Sequence, residues 1–448
     1  MARLNNQPQP GFTIPSSVAV VIGVVVGIGI FRLPPIVADH AASGLQFMLF
    51  WLAGGVISLL GALCYAELAA SRPDAGGEYH FLSRAFGRPP AFLFAWARMT
   101  VIQTGSIALI AFILGDYASQ LLPIGPWGAA VYATLTIIVL TVLNMLGTRH
   151  SRRAQNLFTG LIIALLILLP IAALISVPSA PVPAPAPADD TMGSLLGDGS
   201  LGMAMIFVLL TYGGWNEAAY LSAELHDVRR NMVRVLMYAI GTITLLYLLV
   251  NAAYLHVLGL EGLREADTVA SLLAERIFGD IGSIIVSVIV MLAALSTANA
   301  TIITGARTNY ALGRDFGLLR FIGRWNGRRN TPVHALLVQG AIALLLVALG
   351  AAFEESISTI VDYTAPVFWF FIMLTTATLF VFRRQHGGDT NSYRVPLYPL
   401  VPLLFLLACA GMLYSSLTYT GLGAVIGVAI LASGVPVYLW AVKQQARE

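Results

Sequence analysis

The chain has few charged residues and almost no lysine. Asp, Glu, Lys and Arg make up 10% of its 448 residues, and Lys443 stands alone beside 24 arginines. Soluble globular proteins contain about 25% charged residues, which cover the surface that faces water. The shortage excludes a soluble enzyme, a nucleic-acid-binding protein and a disordered scaffold. Hydrophobic residues make up 58% of the chain, so the composition predicts an all-α polytopic membrane protein.

Cysteine and histidine are also scarce. Cys64 and Cys409 both lie in apolar runs, and the seven histidines are scattered, so no disulfide framework or metal-ligand spacing is present. The sequence has no Ser-His-Asp spacing within one polar segment and no glycine-rich phosphate loop after a strand. We therefore expect no enzyme activity, no cofactor and no metal. An ATP-driven pump would need a nucleotide-binding domain, for which no connection is long enough.

Long apolar runs are abundant. A membrane-spanning helix needs ~20 mostly apolar residues, and twelve runs qualify. They cover residues 16–42, 46–70, 90–118, 127–147, 156–177, 200–223, 234–258, 278–306, 333–351, 358–382, 396–416 and 419–442. Residues 311–330 are basic and amphipathic, which predicts an interfacial helix, with an irregular basic loop as the alternative.

The basic residues predict the orientation of these spans. With the N-terminus placed inside, 21 of the 25 basic residues fall in cytoplasmic loops and tails. The opposite loops carry Arg264 and Arg276, and Arg32 and Arg98 lie within spans. Because cytoplasmic loops are enriched in Lys and Arg, we predict a multi-pass protein of the cytoplasmic (inner) membrane with both termini inside, surrounded by membrane lipid.

Two spans are interrupted by glycine pairs. Gly27 and Gly29 lie in the first span, and Gly213 and Gly214 lie in the sixth. Such pairs can serve close helix packing, but glycine-interrupted spans at matching positions of two halves indicate the binding site of a secondary transporter. An offset of five spans inverts the second half relative to the first.

This offset divides the chain into six segments. Residues 1–15 form a cytoplasmic tail, 16–177 a first repeat of helices 1–5, 178–199 a proline-rich outer loop, 200–382 a second repeat of helices 6–10, 383–442 two peripheral helices and 443–448 a second tail.

Two helix breaks offer both signs of partial charge. N–H groups at the start of a half-helix suit a carboxylate, and carbonyl groups at the end of another suit an ammonium. An α-amino acid carries both groups. We therefore predict a substrate site that comprises Val25, Gly27, Ile28, Gly29, Ile30, Leu210, Thr211, Tyr212 and Gly213, with Asn299 as a further contact.

Other polar residues within the spans are functional candidates, because ionisable groups are costly there. Glu217 and Glu224 lie seven residues apart after the second break, where they predict gating or proton transfer, or a structural role. Ser296 and Thr297, with carbonyls near Gly23, form a candidate ion site, although such hydroxyls often bond to their own helix. Arg98 and Gln103 predict a buried polar contact, with snorkelling of the Arg98 side chain to the interface as the alternative.

Several motifs together resemble the amino acid–polyamine–organocation transporters, closest to the L-type amino acid transporter branch and its bacterial relatives. They are Gly27-Ile28-Gly29-Ile30-Phe31, Tyr65-Ala66-Glu67-Leu68, Pro73-Asp74-Ala75-Gly76-Gly77-Glu78-Tyr79, Tyr212-Gly213-Gly214-Trp215-Asn216-Glu217, Tyr310-Ala311-Leu312-Gly313-Arg314-Asp315, Thr331-Pro332 and Tyr393-Arg394-Val395-Pro396. The resemblance covers nearly the whole chain. It implies the fold of the bacterial leucine transporter, with two inverted five-helix repeats and two peripheral helices, and alternating access for amino-acid substrates.

The chain departs from this family at several positions. Ile28 replaces a hydroxyl residue, and Leu210 replaces a gating aromatic for which Tyr212 or Trp215 would substitute. Ile162 stands at about the position of a lysine in helix 5. The human-type relatives join a heavy chain through an outer-loop cysteine. This chain has no cysteine in a predicted outer loop, so we expect no disulfide-linked heavy chain.

The residues therefore predict a permease for amino acids, acting as an antiporter or symporter. Ile28, Leu210 and the shortage of deep acidic residues favour neutral substrates, with proton-linked uptake or exchange ranked ahead of sodium coupling. A cationic amino acid or polyamine antiporter is the alternative, with Glu217 as the acidic group. A nutrient-sensing receptor or a channel with the same fold is the alternative from another class.

Overall fold

The computed structural model describes residues 13–74, 76–146, 151–178, 200–222, 225–326, 331–352, 356–385 and 393–445. Within these residues the regular structure is helical, apart from an isolated bridge between Asn326 and Thr331. The α-helices are α1 (Ile14–Val25), α2 (Leu33–Asp39), α3 (Gly44–Ser71), α4 (Gly77–Phe86), α5 (Arg88–Ala97), α6 (Gln103–Leu121), α7 (Gly128–Leu146), α8 (Ser151–Ser176), α9 (Ser200–Thr211), α10 (Val228–Arg264), α11 (Val269–Asp315), α12 (Val333–Ala351), α13 (Ser356–Gln385), α14 (Leu400–Tyr419) and α15 (Gly421–Gln445).

The helices have the length and surface of a membrane protein. In the described part of the chain, nine helical stretches are long and apolar enough to cross a membrane, namely α3, α5 with α6, α7, and α10 to α15. Large apolar side chains such as Leu245 and Leu407 are about 70% exposed on these helices. Such a surface suits lipid rather than water. The protein is therefore a polytopic helical membrane protein, as its composition predicts.

Two further apolar helices are interrupted, both at the predicted glycines. The first ends as α1 at Val25, passes through extended Gly27 and a 3₁₀ turn from Ile28 to Phe31, and resumes as α2. The second ends as α9 at Thr211 and continues after Gly214 as a 3₁₀ helix, Trp215–Leu221. Gly214 has φ +105°, a conformation that side-chain-bearing residues rarely adopt.

The halves of the two broken helices pack in crossed pairs. The first half, α1, contacts the Trp215–Leu221 segment, and α2 contacts α9. Extensive contact between α3 and α10 supports this arrangement, and α10 also packs on α1. The two breaks are therefore held against each other in the middle of the bundle.

The structure differs from the sequence expectation in three places. Helices α10 and α11 extend beyond the predicted limits, and each bends at a glycine of positive φ, Gly259 and Gly279. The predicted interfacial helix over 311–330 is wrong for the residues described there: α11 continues to Asp315, and a 3₁₀ turn and bends follow. Helix α4 was not expected, and it lies between α3 and α5.

Candidate functional site

The two helix breaks touch at their glycines. A Cβ atom placed on Gly29 would lie 3.4 Å from Cγ2 of Thr211 and 3.5 Å from its Cα atom. On the other side, a Cβ atom on Gly214 would lie 3.3 Å from the carbonyl oxygen of Val24. A Cβ atom on Gly29 would thus be in ordinary contact with the second break, whereas a Cβ atom on Gly214 would be tight against the first.

The first break exposes both kinds of backbone group. Its carbonyl end is Val25, whose oxygen accepts a hydrogen bond from Gly27 at 2.6 Å. Its N–H end is the 3₁₀ turn that begins at Ile28, where the first N–H groups, including that of Gly29, have no acceptor within the turn. The sequence predicts a carboxylate near the N–H groups of Gly29 and Ile30; of these two, that of Gly29 precedes the first i→i+3 bond of the turn, whereas that of Ile30 takes part in it.

Tyr247 of α10 connects the two breaks. Its hydroxyl lies 3.1 Å from the carbonyl oxygen of Val25 and 3.1 Å from that of Thr211, and it can donate to either. Its ring is fully buried and packs edge-on against Tyr212, with 5.0 Å between ring centroids. The sequence assigns the carbonyls around Val25, Leu210 and Gly213 to an ammonium group. A neutral hydroxyl donor here serves that of Val25 together with that of Thr211.

Two more buried tyrosines bind the far side of the first break. Tyr117 donates to the carbonyl oxygen of Phe31 at 2.7 Å, and the hydroxyl of Tyr254 lies 3.5 Å from that of Ile30. Sequence reasoning missed all three tyrosines. A signal was present, since Tyr247 and Tyr254 are seven residues apart and lie on one face of α10.

The aromatic residues of the second break contact neighbouring helices. Tyr212 is buried and donates to the carbonyl oxygen of Trp51 at 3.0 Å. Trp215 packs between Tyr65 and Phe405, at centroid distances of 5.1 and 6.0 Å. Both rings therefore brace the break against α3, and Trp215 also contacts α14.

A small cavity adjoins the second break. Its lining comes from α3, the second broken helix, α13 and α14, and consists of Ile57, Ser58, Leu209, Gly213, Trp215, Asn216, Phe368, Trp369, Ile372 and Phe405. The lining is mainly apolar and aromatic. The hydroxyl of Ser58 is buried there and has no hydrogen-bond partner among the described residues.

An ion pair on one side of the breaks ties α2 to its neighbours. Arg32 donates to Asp116 of α6 at 2.9 Å and lies 3.7 Å from Asp267. Arg264 reinforces this end, because its guanidinium donates to the carbonyl oxygens of Ala38 and Ala41.

A second group of charged residues lies on the opposite side of the breaks. Arg98 contacts Glu217 at 2.8 Å and Glu78 at 3.5 Å. Gln103 instead donates to the carbonyl oxygen of Thr301 and the hydroxyl of Thr304 in α11. The expected contact between Arg98 and Gln103 is therefore replaced by contacts to different helices.

The other predicted residues belong to α11, which also contacts the 3₁₀ turn of the first break, or lie outside the description. The carboxamide oxygen of Asn299 accepts from Asn144 of α7 at 2.7 Å. The hydroxyl of Thr297 donates to the carbonyl oxygen of Ala293 in its own helix, and Ser296 is buried. Glu224 lies outside the described residues. In the part of the chain described, His, Cys, Asp and Glu side chains form no group of three that could hold a metal ion.

A helical membrane protein whose two broken helices meet at mid-bundle is built as a secondary transporter. A sequence model of the amino acid permease family matches residues 12–440, and the chain belongs to this family, within the amino acid–polyamine–organocation superfamily. Its members are transporters rather than enzymes.

Curated amino acid transporters are similar in sequence to this protein over most of its length. The rat b(0,+)-type amino acid transporter 1 is 29% identical over 396 residues, which cover 88% of this chain and 79% of the relative. The human protein of the same name is 29% identical over 397 residues, with the same coverage. The mouse large neutral amino acids transporter small subunit 2 is 28% identical over 437 residues, which cover 96% and 80%.

Proposed function

We propose that this protein is a secondary active transporter that moves neutral L-amino acids across the cytoplasmic membrane by alternating access, with proton-linked uptake or exchange. One observation carries the proposal: the two helix breaks meet, and Tyr247 bridges carbonyl groups of both. These backbone groups recognise the part that all α-amino acids share. The family and its curated relatives support the substrate class.

The ligand binds across the two breaks. Its carboxylate accepts from the N–H groups at the start of the 3₁₀ turn, including that of Gly29, where the positive end of a helical turn favours an anion. Its ammonium donates to the carbonyl oxygens of Val25 and Thr211. Backbone atoms bind both the carboxylate and the ammonium group. Selectivity among amino acids therefore depends on the pocket that receives the side chain of the ligand.

The cavity beside Gly213 is the proposed side-chain pocket. Its apolar lining, which includes Leu209, Trp369 and Ile372, favours aliphatic or aromatic ligands. No acidic residue is among the residues that line it. Glu217, the acidic group on which the cationic alternative depends, is bound to Arg98 at 2.8 and 3.1 Å. These contacts support a neutral substrate.

The helix packing supports an inverted repeat of five and five helices. In this proposal the first repeat runs from α1 to α8 and the second from α9 to α13, while α14 and α15 are the two peripheral spans. The offset of five spans makes α10 in the second repeat the counterpart of α3 in the first, and these two helices pack on each other. It likewise makes the contact between α13 and α6 the counterpart of the contact between α8 and α11. With twelve spans both termini lie on the same side of the membrane, which the basic loops predict to be the cytoplasm.

The ion pairs on the two sides of the breaks are the proposed gates. Arg32 with Asp116 closes the outer side, and Arg98 with Glu217 closes the cytoplasmic side. Each pair includes a residue of a broken helix, so movement of that half-helix opens one side at a time.

A thermal-shift screen tests the substrate class. The detergent-purified protein is heated with each of the twenty L-amino acids and with polyamines, with and without sodium, at two pH values. We expect neutral amino acids to raise the melting temperature and to support countertransport in proteoliposomes. Stabilisation by arginine, lysine or polyamines alone would favour the cationic antiporter. Ion leakage without countertransport would favour a channel.

Replacement of Tyr247 tests the ammonium site. Tyr247→Phe removes the donor to the Val25 and Thr211 carbonyls, so we expect a loss of about 1 kcal/mol in stability. An amino acid supplies new donors to these carbonyls, so its thermal shift should be larger in Tyr247→Phe than in the wild type. Tyr254→Phe is the control on the same helix. If amino acids raise the melting temperature equally in the wild type and in Tyr247→Phe, the ammonium group does not bind these carbonyls.

A further inference from the structure

One arginine is shared by two carboxylates on the proposed cytoplasmic side of the breaks. Nη2 of Arg98 lies 2.8 and 3.1 Å from the two carboxylate oxygens of Glu217, and Nη1 lies 3.5 Å from Oε2 of Glu78. Arg98 belongs to a π-helical segment, Arg98–Ile102, between α5 and α6. Glu78 comes from α4 and Glu217 from the second break, so the three residues join three separate elements.

The cluster is buried unevenly. The side chains of Arg98 and Glu78 are 4% and 3% exposed, whereas that of Glu217 is 31% exposed. The groups that face Glu78 are Tyr65 from α3, Arg98, and Asn216 with Glu217 from the second break. The hydroxyl of Tyr65 and the amide of Asn216 both donate to Oε1 of Glu78, at 2.8 and 3.2 Å.

Two carboxylates and one guanidinium carry an excess negative charge when all three are ionised. A buried charge is costly unless it is paired, and a carboxyl group in this position takes up a proton instead. Burial raises the pKa of Glu78, Arg98 lowers it in part, and the nearby charge of Glu217 raises it again. Tyr65 and Asn216 donate to Oε1, whereas Oε2 faces the guanidinium of Arg98.

We propose that Glu78, Arg98 and Glu217 form the proton-binding site of the transporter, with the proton held on Glu78. This inference rests on the proposed function for its coupling to transport. Glu217 lies three residues after Gly214, on the segment that the proposed gate moves. When Glu217 pairs with Arg98, the two carboxylates share one cation and Glu78 binds a proton. When the segment moves away, Arg98 pairs with Glu78 alone and the proton leaves to water.

Infrared titration tests proton binding without transport. A protonated carboxyl group has a C=O stretching band distinct from that of a carboxylate. We expect the purified wild-type protein to retain this band at neutral pH, and both Glu78→Gln and Glu217→Gln to lose it. Glu78→Gln removes the carboxyl group itself, whereas Glu217→Gln leaves Glu78 as the one carboxylate beside Arg98, so Glu78 ionises.

A matched control uses a buried carboxylate with an arginine of its own. Glu67 binds Arg383 through both oxygens, so Glu67→Gln should leave the band unchanged, and so should Glu275→Gln on an exposed residue. Two variants of the cluster keep the test decisive if one of them fails to fold. A wild type without the band, or a band that survives in both variants, would overturn the proposal.

Proton flux tests the coupling. Proteoliposomes contain a pH-sensitive dye, their membrane potential is clamped, and a mixture of the twenty L-amino acids is added outside. We expect protons to enter with amino acids in the wild type, and Glu78→Gln, which leaves the Arg98–Glu217 gate in place, to exchange amino acids while its proton flux falls to that of empty liposomes. Amino-acid uptake without proton entry in the wild type would overturn the coupling and leave the proposed function intact. No amino-acid transport would overturn the proposed function, and the infrared result would still decide whether the cluster binds a proton.

Discussion

We expect the Gly29→Leu protein to fold and to bind no amino acid. A Cβ atom at Gly29 fits at ordinary contact distance, 3.4 Å from Thr211 and 3.5 Å from Leu33. The three further carbons of leucine have no room between these neighbours, and they cover the N–H groups proposed to hold the carboxylate. Overpacking of this kind costs about 1–3 kcal/mol, which a folded domain tolerates, whereas the thermal shift with amino acids should disappear.

Two variants separate the site from a general effect of bulk. Gly29→Ala adds the Cβ atom alone and should retain binding. Gly241→Leu adds the same side chain on α10, where no atom lies within 4 Å of the position of its Cβ, so both stability and binding should match the wild type. Normal amino-acid uptake by folded Gly29→Leu would show that the first break is not the binding site.

The second large effect is expected from Arg383→Gln, on stability rather than binding. Glu67 is nearly buried, and its carboxylate accepts from Nε and Nη2 of Arg383 at 2.7 and 2.5 Å and from the backbone N–H of Val395 at 2.6 Å. The guanidinium also stacks on Tyr398, 3.8 Å from the ring centroid. Removal of one partner from such a buried pair leaves a buried charge, so we expect a loss of about 3 kcal/mol.

The neighbouring arginine provides the control. Arg384 is exposed, so Arg384→Gln should leave the melting temperature in detergent unchanged. The double variant Glu67→Gln/Arg383→Gln should recover part of the loss, because no uncompensated charge remains. If Arg383→Gln melts at the wild-type temperature, this pair does not hold the ends of α3 and α13 together.

Sequence reasoning located the breaks because glycine acts locally. A glycine pair in an apolar helix marks a site where the backbone leaves the helix, and both interruptions lie at such pairs, Gly27 with Gly29 and Gly213 with Gly214. The predicted limits of spans 7 and 8, at 258 and 278, likewise adjoin the bends at Gly259 and Gly279. These features depend on the conformational freedom of single residues.

The side chains that contact the breaks could not be predicted from local sequence patterns. Tyr247 lies 222 residues from Val25, and Arg98 lies 119 residues from Glu217. Which polar groups come into contact depends on how the helices pack across one another, and this packing cannot be deduced from a single sequence. The same limit explains residues 311–330, where an amphipathic pattern was taken for a helix although the chain turns back on itself at Gly313 and Gly323, whose backbones approach closely.

The contact of Tyr247 with two carbonyls has a consequence for what the site accepts. A hydroxyl group has one hydrogen, so Tyr247 donates to either the Val25 or the Thr211 carbonyl at any moment. The Val25 carbonyl also accepts from Gly27, so it is the Thr211 carbonyl that loses most when Tyr247 turns away. A primary ammonium brings three hydrogens and serves both oxygens at once. A hydroxy acid, with a single hydrogen at that position, offers no more than the tyrosine already does. On the proposed binding mode, the site therefore distinguishes ligands by their number of donor hydrogens and prefers a free amino group whatever the side chain.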